Sequence, residues 1–401
     1  MPTSFASGST ASPVPDEAGP HGREGADRLA RIQRRFAEFA AEYAALPLYS
    51  TLCRHLARDA EAASLLIAAR PGQARPVLWL AALHELVLRR PDMPAARWYP
   101  SVVGHDAVPH GDPWPDVRRA VLEHRDELVE RIATHGTQTN EVNRAVYVAV
   151  GLAVAAADVA GTPVALVELG ASAGLLLGVD RYAVDLVGAE RTLTLCDPAS
   201  PVRCSGIDRA EVGAQLDAGP GLPPVVARVG LDLSPVDLDD EDAVRWLEAC
   251  LWPDVPGRVE RFRSARALLR TDPPVVLAGD LVDDIDRAVR RAREAPGPDA
   301  HVVVMSSWAL TYVAAPRRLE LETRLRTLAR DVPALSWLTA EPPGCAPGIA
   351  ADDVREDGGG TVVAVRRWRG ARDLEPVVLG TCNPHGQWID LNVGARDNRT
   401  S

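Results

Sequence analysis

Three acidic residues in the second half of the chain each follow a short apolar run and come just before a turn. The first is Glu168, in residues 164–174, which read Val-Ala-Leu-Val-Glu-Leu-Gly-Ala-Ser-Ala-Gly. Gly170 and Gly174 form the turn before a predicted helix. Such glycines let the backbone approach a ligand closely, and the free N–H groups at the helix start favour an electron-rich group. The same spacing is also consistent with close packing of a helix on a strand.

This stretch resembles methyltransferase motif I, an acidic residue followed by Gly-x-Gly-x-Gly, with Ser172 in the place of the middle glycine. It differs from the dinucleotide-binding Gly-x-Gly-x-x-Gly pattern in the spacing from Gly170. The resemblance implies that Glu168, Gly170, Ser172 and Gly174 belong to a site for S-adenosylmethionine, with the glycines at its methionine end.

The other two acidic residues are Asp232, in Gly-Leu-Asp-Leu-Ser-Pro, and Asp280, in Ala-Gly-Asp. A carboxylate at the end of the second parallel strand can accept both ribose hydroxyls of a nucleoside cofactor. We assign that role to Asp232, and the resemblance implies an adenine contact for Asp280. Asp197 lies nearer the usual spacing of about 20 residues from the glycine turn and is the alternative for the ribose. Each could instead be a turn or helix-capping aspartate.

Further candidates flank the predicted crevice. Asn140 and Glu141 belong to the polar cluster Gln-Thr-Asn-Glu before an apolar helix. Either Thr139 or Asn140 caps that helix, with Glu141 in its first turn, or the cluster closes over the crevice and Asn140 and Glu141 touch cofactor or substrate. Glu141, Glu341 and His301 are the candidates for a proton acceptor. Trp308, after the fourth strand, lines the pocket or belongs to the core.

Apolar runs alternating with helical stretches predict the elements that position these residues. The runs cover residues 164–169, 225–231, 275–278, 301–306 and 335–340. They indicate a parallel sheet covered on both faces, with ligands bound at the carboxyl ends of its strands. Two later runs, 361–368 and 375–382, are joined by a link that suits only an antiparallel hairpin. The predicted fold class is α/β: a seven-stranded doubly wound sheet of methyltransferase (Rossmann-like) type, preceded by an all-helical domain.

The spacing of apolar residues also predicts the domain organisation. Residues 27–160 form the helical domain, on the lid or substrate side, and residues 161–395 form the methyltransferase-like domain with an insertion at 180–224. Residues 1–26 and 396–401 are predicted to be tails. The apolar run 146–157 is too short to span a bilayer, so no membrane is expected.

The composition excludes several kinds of chemistry. The chain contains no lysine, so a Schiff base, a lysine general base and a Walker-loop lysine are all excluded. The formal net charge of −11 makes nucleic acid an unexpected partner. The six cysteines form no Cys-x-x-Cys pair, so we expect no metal site and a reducing cytoplasm.

Several stretches together are specific for one family: Gln-Thr-Asn-Glu at 138–141 followed by Arg144, Glu-Leu-Gly-Ala-Ser-Ala-Gly-Leu at 168–175, Asp-Arg-Tyr at 180–182, Asp-Pro-Ala-Ser-Pro at 197–201 and Trp-Leu-Glu-Ala-Cys-Leu-Trp-Pro at 246–253. The chain resembles the "domain of unknown function 2332" family of uncharacterised, mostly actinobacterial proteins. The resemblance covers most of the chain from about residue 30 to 391 and implies the fold but no substrate.

We therefore expect an S-adenosylmethionine-dependent methyltransferase that acts on a small molecule. Such an enzyme must hold a methyl group in line with a nucleophile and exclude water. The first alternative is a non-catalytic protein of the same fold that binds a nucleoside ligand or a protein partner. The second is a nicotinamide-dependent oxidoreductase, which the terminal antiparallel pair disfavours.

Overall fold

The computed structural model describes residues 20–159, 161–217, 222–294, 300–349 and 360–393. Its first part is helical, and its α-helices are α1 (Pro20–Glu42), α2 (Pro47–Leu56), α3 (Ala60–Ala63), α4 (Pro76–Arg89), α5 (Pro100–Val103), α6 (Trp114–Glu123), α7 (Arg125–Thr134) and α8 (Ala145–Ala156). The first helix begins at Pro20 rather than at Asp27, and proline is well tolerated in a first helical turn. Residues 1–19 and 396–401 of the predicted tails lie outside the described residues.

The first seven helices contribute to one apolar core. Ile32, Phe36 and Phe39 bury one face of α1 in this core, and α4 is buried nearly all round. Ile132 is the last buried residue that these helices contribute, and Trp246 joins them from later in the chain. Helix α8, which we predicted as part of the helical domain, packs in a different core with the sheet.

The second part alternates strands and helices. Its strands are β1 (Val164–Leu169), β2 (Ala183–Val187), β3 (Thr192–Cys196), β4 (Arg203–Asp208), β5 (Val225–Asp232), β6 (Val275–Ala278), β7 (His301–Ser307), β8 (Leu335–Glu341), β9 (Thr361–Arg369), β10 (Arg372–Asp373), β11 (Val377–Cys382) and β12 (Trp388–Leu391). Its α-helices are α9 (Val212–Asp217), α10 (Glu241–Ala249), α11 (Arg258–Leu269), α12 (Ile285–Glu294) and α13 (Ala315–Leu328). All seven predicted runs are strands, and their bounds agree with the prediction to within two residues.

The strands form one mixed sheet in the order β3-β2-β4-β12-β11-β9-β8-β7-β1-β5-β6, and β10 pairs with β9. Strands β6, β5, β1, β7 and β8 are parallel, while β9 and β11 are added antiparallel. From β1 the chain moves to β5 and β6 on one side and then to β7 and β8 on the other. The order therefore reverses between β1 and β7, which is the switch point of a doubly wound sheet.

The sheet has twelve strands in the described residues, whereas the sequence pattern predicts seven. Residues 180–224, predicted as an insertion outside the alternation, contribute β2, β3 and β4 to the same sheet, and β12 joins them to β11. These strands are only four to six residues long, and β4 alternates exposed and buried residues. A search for continuous apolar runs does not detect strands of this kind.

Helices cover both faces of the parallel strands. Helices α8 and α11 pack on one face against Leu166, Val303 and Leu338. Helices α12 and α13 pack on the other face against Val167 and Val304. Burial on both faces explains why these strands are continuous apolar runs.

Helix α8 lies directly on β8, because a Cβ atom at Gly151 would collide with the side chain of Leu338. The window Val142–Val159 has the length and hydropathy of a membrane-spanning helix, but 78% of it is buried inside the structure. This burial is typical of a core helix.

Candidate functional site

A cleft of about 350 Å³ opens at the carboxyl ends of β1, β5, β6 and β7. Open parallel sheets bind ligands at this position, beside the switch point, and the volume lies in the range of small-molecule sites. The walls of the cleft come from the strand ends, from the turn after β1 and from the residues between α7 and α8.

The turn after β1 brings the backbone close to the cleft. Gly170 and Gly174 have φ values of 72° and 71°, which glycine adopts without steric cost. A Cβ atom at Gly170 would lie 2.9 Å from the Cβ of Ala309, so a side chain has no room there. Ser172 also has a positive φ, 51°. Gly170 and Ser172 line the cleft, whereas Gly174 packs against Pro274.

Glu168 is a buried carboxyl group near the end of β1, and it lines the cleft. Its Oε2 atom has no hydrogen-bond partner among the described residues. Burial raises the pKa of Glu168 well above its usual value, the charge of Asp232 adds to this, and Arg144 opposes it. The carboxyl group therefore holds its proton more tightly than a solvated glutamate, and a cation in the cleft would stabilise its charged form.

Asp232 ends β5 and lines the cleft. Its Oδ2 accepts the N–H of Ser172 at 2.8 Å, and its Oδ1 accepts the N–H of Ser234 at 2.8 Å. Each carboxylate oxygen keeps a lone pair for a ligand hydroxyl. Asp197 is exposed outside the cleft, where it accepts the N–H of Ala199 at 3.0 Å. The geometry therefore favours Asp232 over Asp197 as the residue that meets a ligand.

Residues 137–141 form the wall of the cleft that comes from the helical part of the chain. The hydroxyl of Ser172 donates to Oε1 of Gln138 at 2.6 Å, and Nδ2 of Asn140 donates to the same hydroxyl oxygen at 3.3 Å. The serine in the place of the middle glycine thus links the turn after β1 to this segment. Asn140 lies in the cleft wall, and its contact with a cofactor stays a prediction.

Glu141 also borders the cleft, but its carboxylate is buried in an ion pair with Arg258. Oε1 lies 3.6 Å from Nη1 of Arg261 and accepts the N–H of Asn143 at 3.1 Å. Burial alone would raise the pKa of Glu141, but Arg258, His385 and Arg261 bring it below its usual value. These contacts favour a structural role for Glu141 at the helix start rather than proton transfer.

Glu341 lies outside the cleft lining, beneath the loop that follows β7. Its Oε1 accepts the N–H groups of Ala309 and Leu310 at 3.1 and 3.2 Å. Burial raises the pKa of Glu341 to about 7, although these two N–H groups oppose the increase. The loop carries Trp308, which lines the cleft and donates its indole N–H to Oγ1 of Thr361 at 2.8 Å. With a φ of 58°, Trp308 has a conformation that bulky residues adopt only where the surroundings hold them.

Asp280 is not among the residues that line the cleft. Its Oδ1 accepts the N–H groups of Val282 and Asp283 at 2.8 and 3.0 Å and pairs with Arg317 at 3.1 Å. Burial alone would raise the pKa of Asp280, but these N–H groups and the guanidinium bring it below its usual value. The preceding Gly279 lines the cleft instead. These contacts are those of the turn aspartate that we gave as the alternative, and the adenine contact stays a prediction.

His301 lies at the wrong end of its strand for a proton acceptor in the cleft. It is the first residue of β7, paired with Val164 at the start of β1, so the length of the sheet separates it from the strand ends. Its Nε2 lies 2.9 Å from Oγ of Ser336. Burial lowers the pKa of its imidazole to about 3, as expected for a neutral core histidine.

The cleft also contains residues to which the sequence analysis gave no role. Arg144 is buried at the start of α8 and lines the cleft. A single arginine in front of an otherwise apolar helix is the pattern that could have indicated it. Leu233 and Tyr312, which are 76% and 85% exposed, flank the same cleft. Large exposed apolar side chains beside a cleft are typical of ligand contacts.

Fold and cleft together define an α/β protein with one mixed sheet and a cleft at the carboxyl ends of its parallel strands. The chain belongs to the family described as "Uncharacterized protein conserved in bacteria (DUF2332)", whose model matches residues 33–391. The predicted family membership is thus confirmed. No curated protein matches the chain.

Proposed function

We propose that the protein is an S-adenosylmethionine-dependent methyltransferase that acts on a small molecule. The observation that carries this proposal is the pair of carboxyl groups, Glu168 and Asp232, on two adjacent parallel strands in one cleft. Between them, the positive φ values of Gly170 and Ser172 open the backbone to a ligand. Five parallel strands in doubly wound order, followed by antiparallel β9 and β11, support a methyltransferase-type unit within the larger sheet.

The lining of the cleft fits the three parts of this cofactor. Asp232 accepts two backbone N–H groups and keeps lone pairs for the ribose hydroxyls. The unpartnered Oε2 of Glu168 suits the amino group at the methionine end. Leu233, Leu281 and Tyr312 offer the apolar surface that an adenine ring requires.

When bound, S-adenosylmethionine supplies an electrophilic methyl group. The residues of the protein hold the reactants in line and keep water away. Residues 137–141, linked to Ser172 by hydrogen bonds, are suited to exclude water. We assign the role of proton acceptor to neither Glu141, which is paired with Arg258, nor Glu341, which lies outside the cleft lining.

The lack of an assigned proton acceptor favours a second candidate function, a protein that binds a nucleoside ligand without catalysis. The described lining residues include no histidine, and their carboxyl groups belong to Glu141, Glu168 and Asp232. Ligand binding without methyl transfer to any compound in a broad panel of small acceptors would favour this candidate over the enzyme.

Calorimetric titration with S-adenosylmethionine and S-adenosylhomocysteine tests the proposal on the wild type and on Asp232→Ala. We expect dissociation constants on the order of micromolar for the wild type. The variant should lose at least about tenfold in affinity, because a hydrogen bond to a charged group contributes about 1.5–3 kcal/mol. Asp197→Ala is the matched control, since that aspartate is exposed outside the cleft, and its affinity should equal that of the wild type.

Asp232→Asn is a second variant if the alanine variant fails to fold, because its amide oxygen still accepts one of the two backbone N–H groups. If the folded wild type binds neither compound, the methyltransferase proposal is wrong. Binding of reduced nicotinamide dinucleotide instead, detected by its fluorescence, would replace it with the oxidoreductase alternative.

A further inference from the structure

Arg144 is a buried guanidinium group that neutral carbonyl oxygens hold in position. Only 6% of the residue is exposed, and it lines the cleft. Its Nε donates to the backbone oxygen of Pro384 at 3.1 Å, and its Nη1 donates to the backbone oxygen of Ser307 at 3.1 Å. These bonds orient the guanidinium but are not ion pairs, and the carboxyl groups of Glu168 and Glu341 act on its charge only from beyond ion-pair distance.

No Asp or Glu oxygen among the described residues lies within 4.0 Å of this guanidinium. The other strongly buried arginines differ, because Arg258 is paired with Glu141 and Arg366 with Glu322. A buried charge without a counter-ion costs the folded state several kcal/mol. A cleft that keeps such a charge is suited to an anion that arrives with the ligand.

The chemistry of the cleft selects the kind of anion. Glu168 and Asp232 line the same space, and they would repel a phosphate dianion more strongly than a single carboxylate. The planar guanidinium fork matches the two oxygens of a carboxylate. Ser307 lines the cleft, and its hydroxyl lies 2.9 Å from the Tyr147 hydroxyl, where either group can be the donor. When Tyr147 donates this bond, the Ser307 hydroxyl can donate to a ligand.

We propose that Arg144, assisted by the Ser307 hydroxyl, is the carboxylate-binding subsite of the cleft. The carboxylate belongs either to the amino-acid end of the cofactor or to the methyl acceptor. Naming these two sources rests on the proposed function, whereas the subsite itself rests on the unpaired buried guanidinium.

Calorimetry on the wild type and on Arg144→Met separates the two sources. The probes are S-adenosylhomocysteine, which carries a carboxylate, and 5′-methylthioadenosine, which lacks the whole amino-acid end. If the cofactor supplies the carboxylate, the variant binds S-adenosylhomocysteine at least about tenfold more weakly, while its affinity for 5′-methylthioadenosine is unchanged. Arg290→Met, on the exposed face of α12, is the matched control and should bind both probes as the wild type does.

If the acceptor supplies the carboxylate, S-adenosylhomocysteine binds the variant and the wild type equally. Benzoate and phenylacetate, observed by saturation-transfer NMR, then bind the wild type and lose binding in Arg144→Met. Benzamide is the uncharged control and should show no such difference. Arg144→Lys is the second variant if the methionine variant does not fold; it keeps the charge but loses the planar fork, and should show a smaller loss.

Equal binding of every probe to wild type and folded Arg144→Met would overturn the subsite. A wild type that binds neither nucleoside, but still binds benzoate through Arg144, would instead reject the methyltransferase and keep the subsite. Failure of the subsite and failure of the methyltransferase proposal therefore give different results.

Discussion

Replacing Glu341 by Gln tests whether the carboxyl group beneath the Trp308 loop is neutral in the folded protein. Burial raises the pKa of Glu341 from 4.5 to about 7. Since the folded pKa is the higher one, the folded state binds more protons than the unfolded state between these values. Stability therefore falls as pH rises through this window. Gln cannot ionise and keeps an oxygen for the N–H groups of Ala309 and Leu310, so the variant should escape this loss.

The size of the effect follows from the two pKa values. A carboxyl group that titrates near 4.5 when unfolded and about 7 when folded costs the folded state roughly 3 kcal/mol at pH 7.5 and roughly 1 kcal/mol at pH 5. The stability gained by Glu341→Gln should therefore be about 2 kcal/mol larger at pH 7.5 than at pH 5. The difference between the two pH values is the useful quantity, because an unpartnered amide N–H₂ adds a cost that does not depend on pH.

Urea unfolding followed by circular dichroism at both pH values measures this difference. Glu123→Gln removes an exposed carboxylate from α6 and serves as the control, with the same effect expected at both pH values. If Glu341→Gln changes stability equally at pH 5 and 7.5, then Glu341 is charged in the folded protein and the argument from burial is wrong.

Two further predictions concern the residues around the cleft. Urea unfolding at pH 7 should show that Arg258→Met destabilises the protein by about 3 kcal/mol, because the buried carboxylate of Glu141 keeps only longer ion pairs. Adding Glu141→Gln should restore most of the lost stability. A double variant as unstable as Arg258→Met alone would contradict this prediction. Ser172→Gly should stay within about 1 kcal/mol of wild-type stability, since relief of the positive φ offsets the lost hydroxyl contacts. Amide hydrogen exchange of residues 137–141 should nevertheless become faster. An unchanged exchange rate would show that Ser172 does not hold this segment to the turn after β1.

The parallel half of the sheet was predictable because its strands carry a strong local pattern. A strand buried on both faces must be apolar along its whole length, so β1, whose residues are all buried, begins and ends at the predicted residues. The glycine turn after β1 was predictable for a similar reason, since the left-handed φ values of Gly170 and Gly174 are a local requirement of the backbone.

The additional strands were not predictable in this way. Strands β2, β3 and β4 are short, and they complete one sheet only through β12, where Trp388 pairs with Ile207 across 181 positions of the chain. The local pattern of such a segment does not show which distant strand it pairs with. The sequence therefore indicated an insertion where the structure has a continuation of the sheet.

The same contrast holds within the candidate site. The sequence by itself determined which acidic residues follow buried strands, because Glu168, Asp232 and Asp280 are each preceded by an apolar run. Only the tertiary structure decided which of them meet in a cleft and which do not. Asp280 is used by its own turn and by Arg317, and Glu141 is neutralised by Arg258, more than 100 residues away. Arg144 forms no ion pair among the described residues. Whether a charged residue is paired depends on its neighbours in three dimensions. A charge in a low-dielectric interior is controlled by the atoms around it rather than by its neighbours in the sequence.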